Sequence, residues 1–247
     1  MDGMGSRALP SRAMQTAIRA VTFDADGTLW DFDQAMRAAL TSALADIQVL
    51  TPPAARARAA ALTIADLQRI RNAVAADLAP RGATLVQVRL AAFERTLHEL
   101  GVPDAALAAH INARFLEHRQ QATRLYEDTV PALDTLARAG LTLGIISNGN
   151  TDPGRCGIAN YFAFALFADQ HGPNKPDRRL FDLACEMAVC RPDEVLHIGD
   201  SLLADVAGAR AVGMQAVWLN RDDAVNTTGI EPHAVLTTLA DLPALCR

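Results

Sequence analysis

The run Ile18-Arg19-Ala20-Val21-Thr22-Phe23-Asp24-Ala25-Asp26-Gly27-Thr28-Leu29 decides how the rest of the chain is read. Ile18 to Phe23 is a short strand-like stretch, and it stops abruptly at two aspartates followed by Gly-Thr. In open parallel sheets, ligands bind at the carboxyl ends of the strands. A strand that ends in Asp24 and Asp26 therefore delivers two carboxylates to the edge where chemistry is done.

Downstream the pattern turns helical for about a hundred residues. Phe32, Met36, Leu40, Leu44 and Ile47 recur at helical spacing, as do Ile64, Leu67, Ile70, Val74 and Leu78. Thr84 and Gln87 read as a capping box opening a third helix that ends at Gly101, with Pro103 beyond it. Asp104 can cap a fourth running towards Thr123, and Pro52-Pro53 and Pro80-Arg81-Gly82 are the breaks. After Glu127 the rhythm alternates. Val130 to Ala139 is predicted as a helix closed by Gly140, Leu141 to Ile146 as a strand, and Ala163 to Ala168 as a second short run. Pro176 to Val189 reads as a helix, Val195 to Ile198 as a strand, Leu203 to Val212 as a helix, Gln215 to Leu219 as a strand and His233 to Leu236 as an edge strand. Such alternation predicts an α/β protein, a Rossmann-like, mostly parallel sheet with helices on both faces. The expected domains are a sheet core of residues 18–29 and 127–247, an inserted helical unit of residues 30–126, and a disordered lead-in over residues 1–17.

Composition excludes several roles. The chain has 247 residues, of which half are hydrophobic, and a formal net charge of -5, so a sizeable core is available on an acidic molecule. Scattered arginines and 5% aromatics do not make a nucleic-acid surface. No apolar run is long enough to span a bilayer, and residues 1–20 lack a secretory apolar core, so a soluble cytoplasmic protein is expected. Cys156, Cys185, Cys190 and Cys246 show no C-x-x-C pair and are expected as reduced thiols. The six histidines show no ligand spacing; His197 is expected in the packing of the sheet and His171 in a loop. Lys175 is the only lysine, all the other basic residues being arginine.

Taken strand by strand, the carboxyl edge collects Asp24 and Asp26, then Ser147 and Asn148, then Gly199-Asp200-Ser201, with Lys175 reached after Asp169, His171 and Gly172. Each piece alone has a bland alternative as a turn, a helix cap or a solvated charge. Together they are a set of hard oxygen donors with one ammonium, which suits Mg²⁺ and phosphoryl transfer. A carboxylate can attack phosphorus, but like charges at 4 Å repel by about 4 kcal/mol at an effective dielectric of about 20, so cations must stand beside it. A metal ion and Lys175 can supply them. Asp26 can protonate the leaving oxygen and then deprotonate the water that cleaves the intermediate.

These four segments, in this order over Val21 to Asp205, resemble the motifs of the haloacid dehalogenase superfamily. The resemblance implies Asp24 as nucleophile and Asp26 as general acid/base, Ser147 with the Asn148 region holding a phosphate oxygen, and Lys175 as the cation of the third motif. It implies Mg²⁺ bound by the Asp24 carboxylate, the Asp26 backbone carbonyl and the Asp200 carboxylate. Asp205 is then a ligand through water or an orienter of Lys175. The helical insertion has the place of the cap found in the branch that acts on small molecules, so a small phosphorylated metabolite is the expected partner. Trp30, Asp31 and Phe32 either line its pocket or pack its first helix. The implied activity is a Mg²⁺-dependent phosphatase of phosphate monoesters with an aspartyl-phosphate intermediate. A 2-haloacid dehalogenase of the same superfamily has an aromatic residue at the place of Asp26, phosphonate hydrolysis needs a cap lysine, and a phosphomutase would hand the phosphoryl group back. A binding module on a dead scaffold would not need every catalytic residue type. Neither the substrate nor the oligomeric state is legible.

Overall fold

The computed structural model of the chain describes residues 16–246. The expected lead-in over residues 1–17 thus lies outside the described residues except at its end. There Thr16 donates its hydroxyl to Asp193 at 3.0 Å and its carbonyl accepts from Gln215.

The chain folds as two compact units, one of residues up to Asp31 together with Arg124 onward, the other of Phe32–Thr123. The junctions fall inside the expected 30–126. Trp30 forms a β-bridge with Leu125, and the Asp31 N–H bonds to the Arg124 carbonyl, so both stretches belong to the sheet unit.

Among the described residues the sheet unit holds six strands, all neighbouring pairs parallel: β1 Ala20–Phe23, β2 Thr142–Ser147, β3 Phe164–Phe167, β4 Val195–Gly199, β5 Gln215–Leu219 and β6 Ala234–Leu236. Their spatial order is β3-β2-β1-β4-β5-β6. Chain direction across the sheet therefore reverses at β1, and the crevice between β1 and β4 is where such a sheet binds ligands. The first strand, alone in sequence, is central in space. Every residue of β1, β4 and β5 is buried, as expected for parallel strands covered on both faces. Leu166, Leu180, Phe181, Ala184, Val206 and Ala209 form part of the sheet unit's core, and each fully buried leucine or phenylalanine contributes about 1.5–3 kcal/mol.

Two polar residues interrupt that apolar interior. Thr22 and His197 are register partners on β1 and β4, and their side chains bond at 2.9 Å, which satisfies both in the core. His171, expected in a loop, ends the one-turn helix Ala168–His171. The expected helix over 203–212 is instead a wide π-type turn, Leu202–Ala207, followed by Gly208–Ala211.

In the helical unit, Phe32–Leu50, Ile64–Leu78, Leu85–Glu99 and Ala105–Ala122 are the long helices. The Thr84–Gln87 capping box forms, Asp104 accepts from the Leu107 N–H, and a Thr63–Asp66 capping box starts the second long helix. The break at Pro52-Pro53 gives way at once to a 3-10 turn and the short helix Arg56–Ala61. Ala39, Ala43 and Ile47 face Phe93, Leu97, Ile111 and Phe115 in one core; the small alanines allow close helix approach. No helix among the described residues is long and apolar enough to cross a membrane.

Candidate active site

β1 ends at Phe23, and the Asp24 N–H still bonds to the Ile198 carbonyl at 2.8 Å, so the Asp24 backbone stays tied to β4 just beyond the strand end. The chain then turns. Gly27 takes φ +82°, and a Cβ there would collide with the Asp200 carboxylate, so glycine is required by backbone and by space. The turn is pinned from outside the motif. Arg221 donates to the Thr28 carbonyl, lies 3.9 Å from the centre of the Tyr126 ring and forms a two-bond ion pair with Asp128. The Leu29 carbonyl accepts from the Tyr126 N–H and the Thr129 hydroxyl. Arg221 and Asp128 carried no sequence signal, because nothing local marks two residues 93 apart as partners.

Lys175 comes from the segment between β3 and the helix Arg178–Ala188, and it is buried with its ammonium inside the cluster. Its Nζ donates to Asp24 Oδ1 at 2.7 Å, Asp205 Oδ1 at 2.6 Å and the Ile146 carbonyl at 2.7 Å, which uses all three of its donors. Asn148 fixes the backbone beneath it: Asn148 Oδ1 accepts the Lys175 N–H at 2.7 Å and Nδ2 donates to the Lys175 carbonyl at 3.1 Å. The Asn148 side chain thereby supports Lys175 and keeps a second amide N–H beyond these two bonds. Ser147, at the end of β2, is buried, and its Oγ accepts the Gly149 N–H at 3.0 Å, which leaves its proton to be donated elsewhere.

Asp205 sits on the π-type turn. The Asp205 and Val206 N–H groups both reach the Ser201 carbonyl, and the widened turn carries the Asp205 side chain inward to full burial. One oxygen accepts from Lys175 and, at 3.3 Å, meets His197 Nε2; the other accepts the Ser201 N–H at 3.0 Å. Asp205 is therefore fully engaged by protein donors. An ionised Asp205 can only accept, so the proton of His197 lies on Nε2 and Thr22 donates to Nδ1. A chain of bonds runs Thr22, His197, Asp205, Lys175, Asp24.

Electrostatics divides this cluster. Burial opposes the Lys175 ammonium, but Asp205 and Asp24 outweigh it and raise its pKa. Burial likewise opposes Asp205, yet Lys175 and His197 hold its carboxyl well below the usual range. His197 is kept neutral by burial. Asp24 is pushed up, by burial first, against the pull of Lys175 and with repulsion from Asp205 and Asp200. Asp200 is exposed as a residue, but its carboxyl lies against the buried cluster and is pushed up to about 6, by desolvation and then by Asp205. Asp24, Asp200 and Asp205 each place a carboxylate oxygen within 4.8 Å of the others. One ammonium does not neutralise three carboxylates. The all-oxygen donor set and the surplus negative charge fit a hard divalent cation such as Mg²⁺.

Asp26 stands on the same turn, its Oδ1 accepting from the Trp30 indole at 2.6 Å and the Thr151 hydroxyl at 3.5 Å. A Cβ on Gly149 would run into Asp26 Oδ2. Trp30 is 1% exposed within the sheet unit and makes a polar contact to the site that sequence reasoning missed.

Known proteins resemble this chain over most of its length. A family model of haloacid dehalogenase-like hydrolases matches residues 18–213. The 5-amino-6-(5-phospho-D-ribitylamino)uracil phosphatase YigB of Escherichia coli K12 is 32% identical over 92% of this chain and 96% of its own length. The N-acylneuraminate-9-phosphatase of Rattus norvegicus is 26% identical over 93% and 94%. A crystal structure of a 2-haloacid dehalogenase from Pseudomonas syringae pv. Tomato DC3000 superposes with a TM-score of 0.77 at 32% identity, over 92% of this chain and 97% of that one. With the family model matching residues 18–213 and these relatives covering most of the chain, the protein belongs to the haloacid dehalogenase-like hydrolase family.

Proposed function

We propose that the protein is a Mg²⁺-dependent phosphatase of small phosphate monoesters that works through an aspartyl-phosphate. The observation that carries the reading is the grouping of Asp24, Asp200 and Asp205 about Lys175, with a second carboxylate, Asp26, on the turn that holds Asp24. Similarity to proteins described as phosphatases supports it.

In this reading the Asp24 carboxylate attacks phosphorus while the ester oxygen departs, and Asp26 gives that oxygen its proton. Water then attacks the phosphorus, gives a proton to Asp26, and releases phosphate and Asp24. Lys175 holds positive charge against the nucleophile, and the Ser147 hydroxyl donates to a phosphate oxygen. Asn148 acts by fixing Lys175, and Asp205 orients the ammonium rather than binding metal directly. Asp24, the Asp26 carbonyl and Asp200 would hold Mg²⁺, which when bound offsets the negative charge of phosphate and carboxylates. The helical unit Phe32–Thr123 occupies the place of the family's cap in the chain, and we read it as selecting a small phosphorylated substrate.

The test is phosphate release from p-nitrophenyl phosphate with and without Mg²⁺. Turnover is expected to need the metal and to fall to background in Asp24→Asn; undiminished turnover by that variant would falsify the reading. The likeness to a structure described as a 2-haloacid dehalogenase favours a second reading, which Asp26 opposes. Halide release from a 2-haloacid in excess chelator would establish it.

A further inference from the structure

Trp30 is almost fully buried, and its indole N–H makes a 2.6 Å bond to Asp26 Oδ1. An indole N–H is a donor only, and when buried it needs an acceptor. The oxygen it holds must therefore accept whether Asp26 is ionised or protonated. A proton carried by Asp26 is therefore favoured on the other oxygen, because the hydroxyl oxygen of a protonated carboxyl is the weaker acceptor. The surroundings agree. The Thr151 hydroxyl also approaches Oδ1, whereas Oδ2 lies against Gly149, in the place that a side chain there would fill.

The backbone that carries the ring is pinned. Asp26 and Trp30 form a β-bridge, the Gly27 N–H bonds to the Trp30 carbonyl at 3.0 Å, and Trp30 bridges on to Leu125. At 1% exposure the indole is enclosed, so swinging it away from Asp26 would require its packing to open.

We infer that Trp30 is the positioning residue of the acid/base: by holding Asp26 Oδ1 as a fixed acceptor, it assigns proton transfer to Oδ2. The inference rests on the phosphatase reading above. In the first half-reaction the Asp24–phosphorus bond forms and the phosphorus–ester oxygen bond breaks. The leaving oxygen keeps the electron pair and takes the Oδ2 proton, giving the alcohol and an ionised Asp26. In the second, the water–phosphorus bond forms, the water proton goes to Oδ2, and the Asp24–phosphorus bond breaks to release phosphate. Without the indole N–H the carboxylate loses its 2.6 Å donor, and the oxygen facing the leaving group is less strictly set.

The experiment is single-turnover kinetics of Trp30→Phe on two monoesters, p-nitrophenyl phosphate, whose leaving group needs no proton, and β-glycerol phosphate, whose alkoxide does. General acid catalysis is typically worth about 10²–10⁴-fold, and losing its orientation is expected to slow phosphoryl transfer from β-glycerol phosphate by about tenfold or more. The p-nitrophenol burst should keep its rate within about threefold, with KM changed by less than about twofold for both. Equal slowing of both substrates, or wild-type rates on both, overturns the inference. If Trp30→Phe does not fold, benzothienylalanine placed at position 30 keeps the shape, removes only the N–H and is held to the same outcomes. A wild-type protein that releases no phosphate from either ester sinks the phosphatase reading itself, an outcome distinct from a loss confined to the variant.

Discussion

Asn148 grips Lys175 by its backbone, accepting the N–H at 2.7 Å and donating to the carbonyl at 3.1 Å across 27 residues of chain. A polar residue that looked like a ligand contact thus sets the position of the one cation in the cluster. Its removal should act through Lys175. Asn148→Ala leaves one backbone donor and one acceptor without partners, so a stability loss of about 1–3 kcal/mol is expected in urea unfolding. kcat should fall more than KM rises, since the ammonium loses its support while phosphate contacts of Ser147 remain; a raised KM at unchanged kcat would assign Asn148 to ligand binding instead.

Lys175 is the only lysine of the chain, and its site explains why arginine would not serve. Three acceptors converge on one nitrogen at 2.6–2.7 Å in a side chain that is 1% exposed. A planar guanidinium spreads its donors over a wider fork and cannot satisfy three oxygens gathered about a point. Lys175→Arg is expected to lose about a hundredfold or more in kcat/KM, the scale of removing a preorganised charge. Lys175→Met should unfold more easily, by about 3–5 kcal/mol, because Asp205 is left buried without its cation. Adding Asp205→Asn should restore part of that loss; no restoration would mean that the pair does not account for it.

Much of the sheet unit could be read from sequence because parallel strands are short apolar runs punctuated by glycine and by helix caps. Gln215–Leu219 was legible to the residue, and the carboxyl-edge placement of Asp24, Ser147 and Asp200 followed from strand order alone. What stayed hidden depends on distant partners or on departures from regular geometry. The π-type turn at Leu202–Ala207 carries the same apolar spacing as a helix but turns Asp205 inward. The bond between Thr22 and His197 requires knowing that β1 lies beside β4. Trp30, four residues after Asp26, points back to it only because Gly27 reverses the chain between them.

That same glycine yields a third prediction. Gly27→Ala must place a methyl group against the Asp200 carboxylate and hold φ near +82°, which L-residues disfavour by about 1–2 kcal/mol. The protein should lose about that much stability and also bind Mg²⁺ more weakly, since Asp200 is displaced. Titration calorimetry with Mg²⁺ separates the two effects. Weakened stability with unchanged affinity would remove Asp200 from the metal site.

The pH dependence of metal binding follows from Asp200 and Asp24. Both carboxyls are raised in the folded protein, Asp200 to about 6 from an ordinary 3.8. A raised carboxyl favours the folded state while it is protonated; that contribution is complete below the ordinary value and is lost as pH rises through the folded one. Without metal, the contribution of Asp200 to stability therefore declines from about pH 4 to pH 6. Mg²⁺ needs the ionised form, so in the same window it must displace a proton, and its affinity should weaken by up to about tenfold per pH unit below 6. The thermal shift produced by Mg²⁺ should be large at pH 7.5 and small at pH 5, whereas the metal-free protein should not lose the Asp200 contribution at the lower pH. Asp200→Asn should shrink the shift at both and flatten its pH dependence. Equal shifts at pH 5 and 7.5 in the wild-type protein would show that the carboxylates of this cluster are not the metal's ligands, and the reading of Asp24 as a metal-assisted nucleophile would go with them.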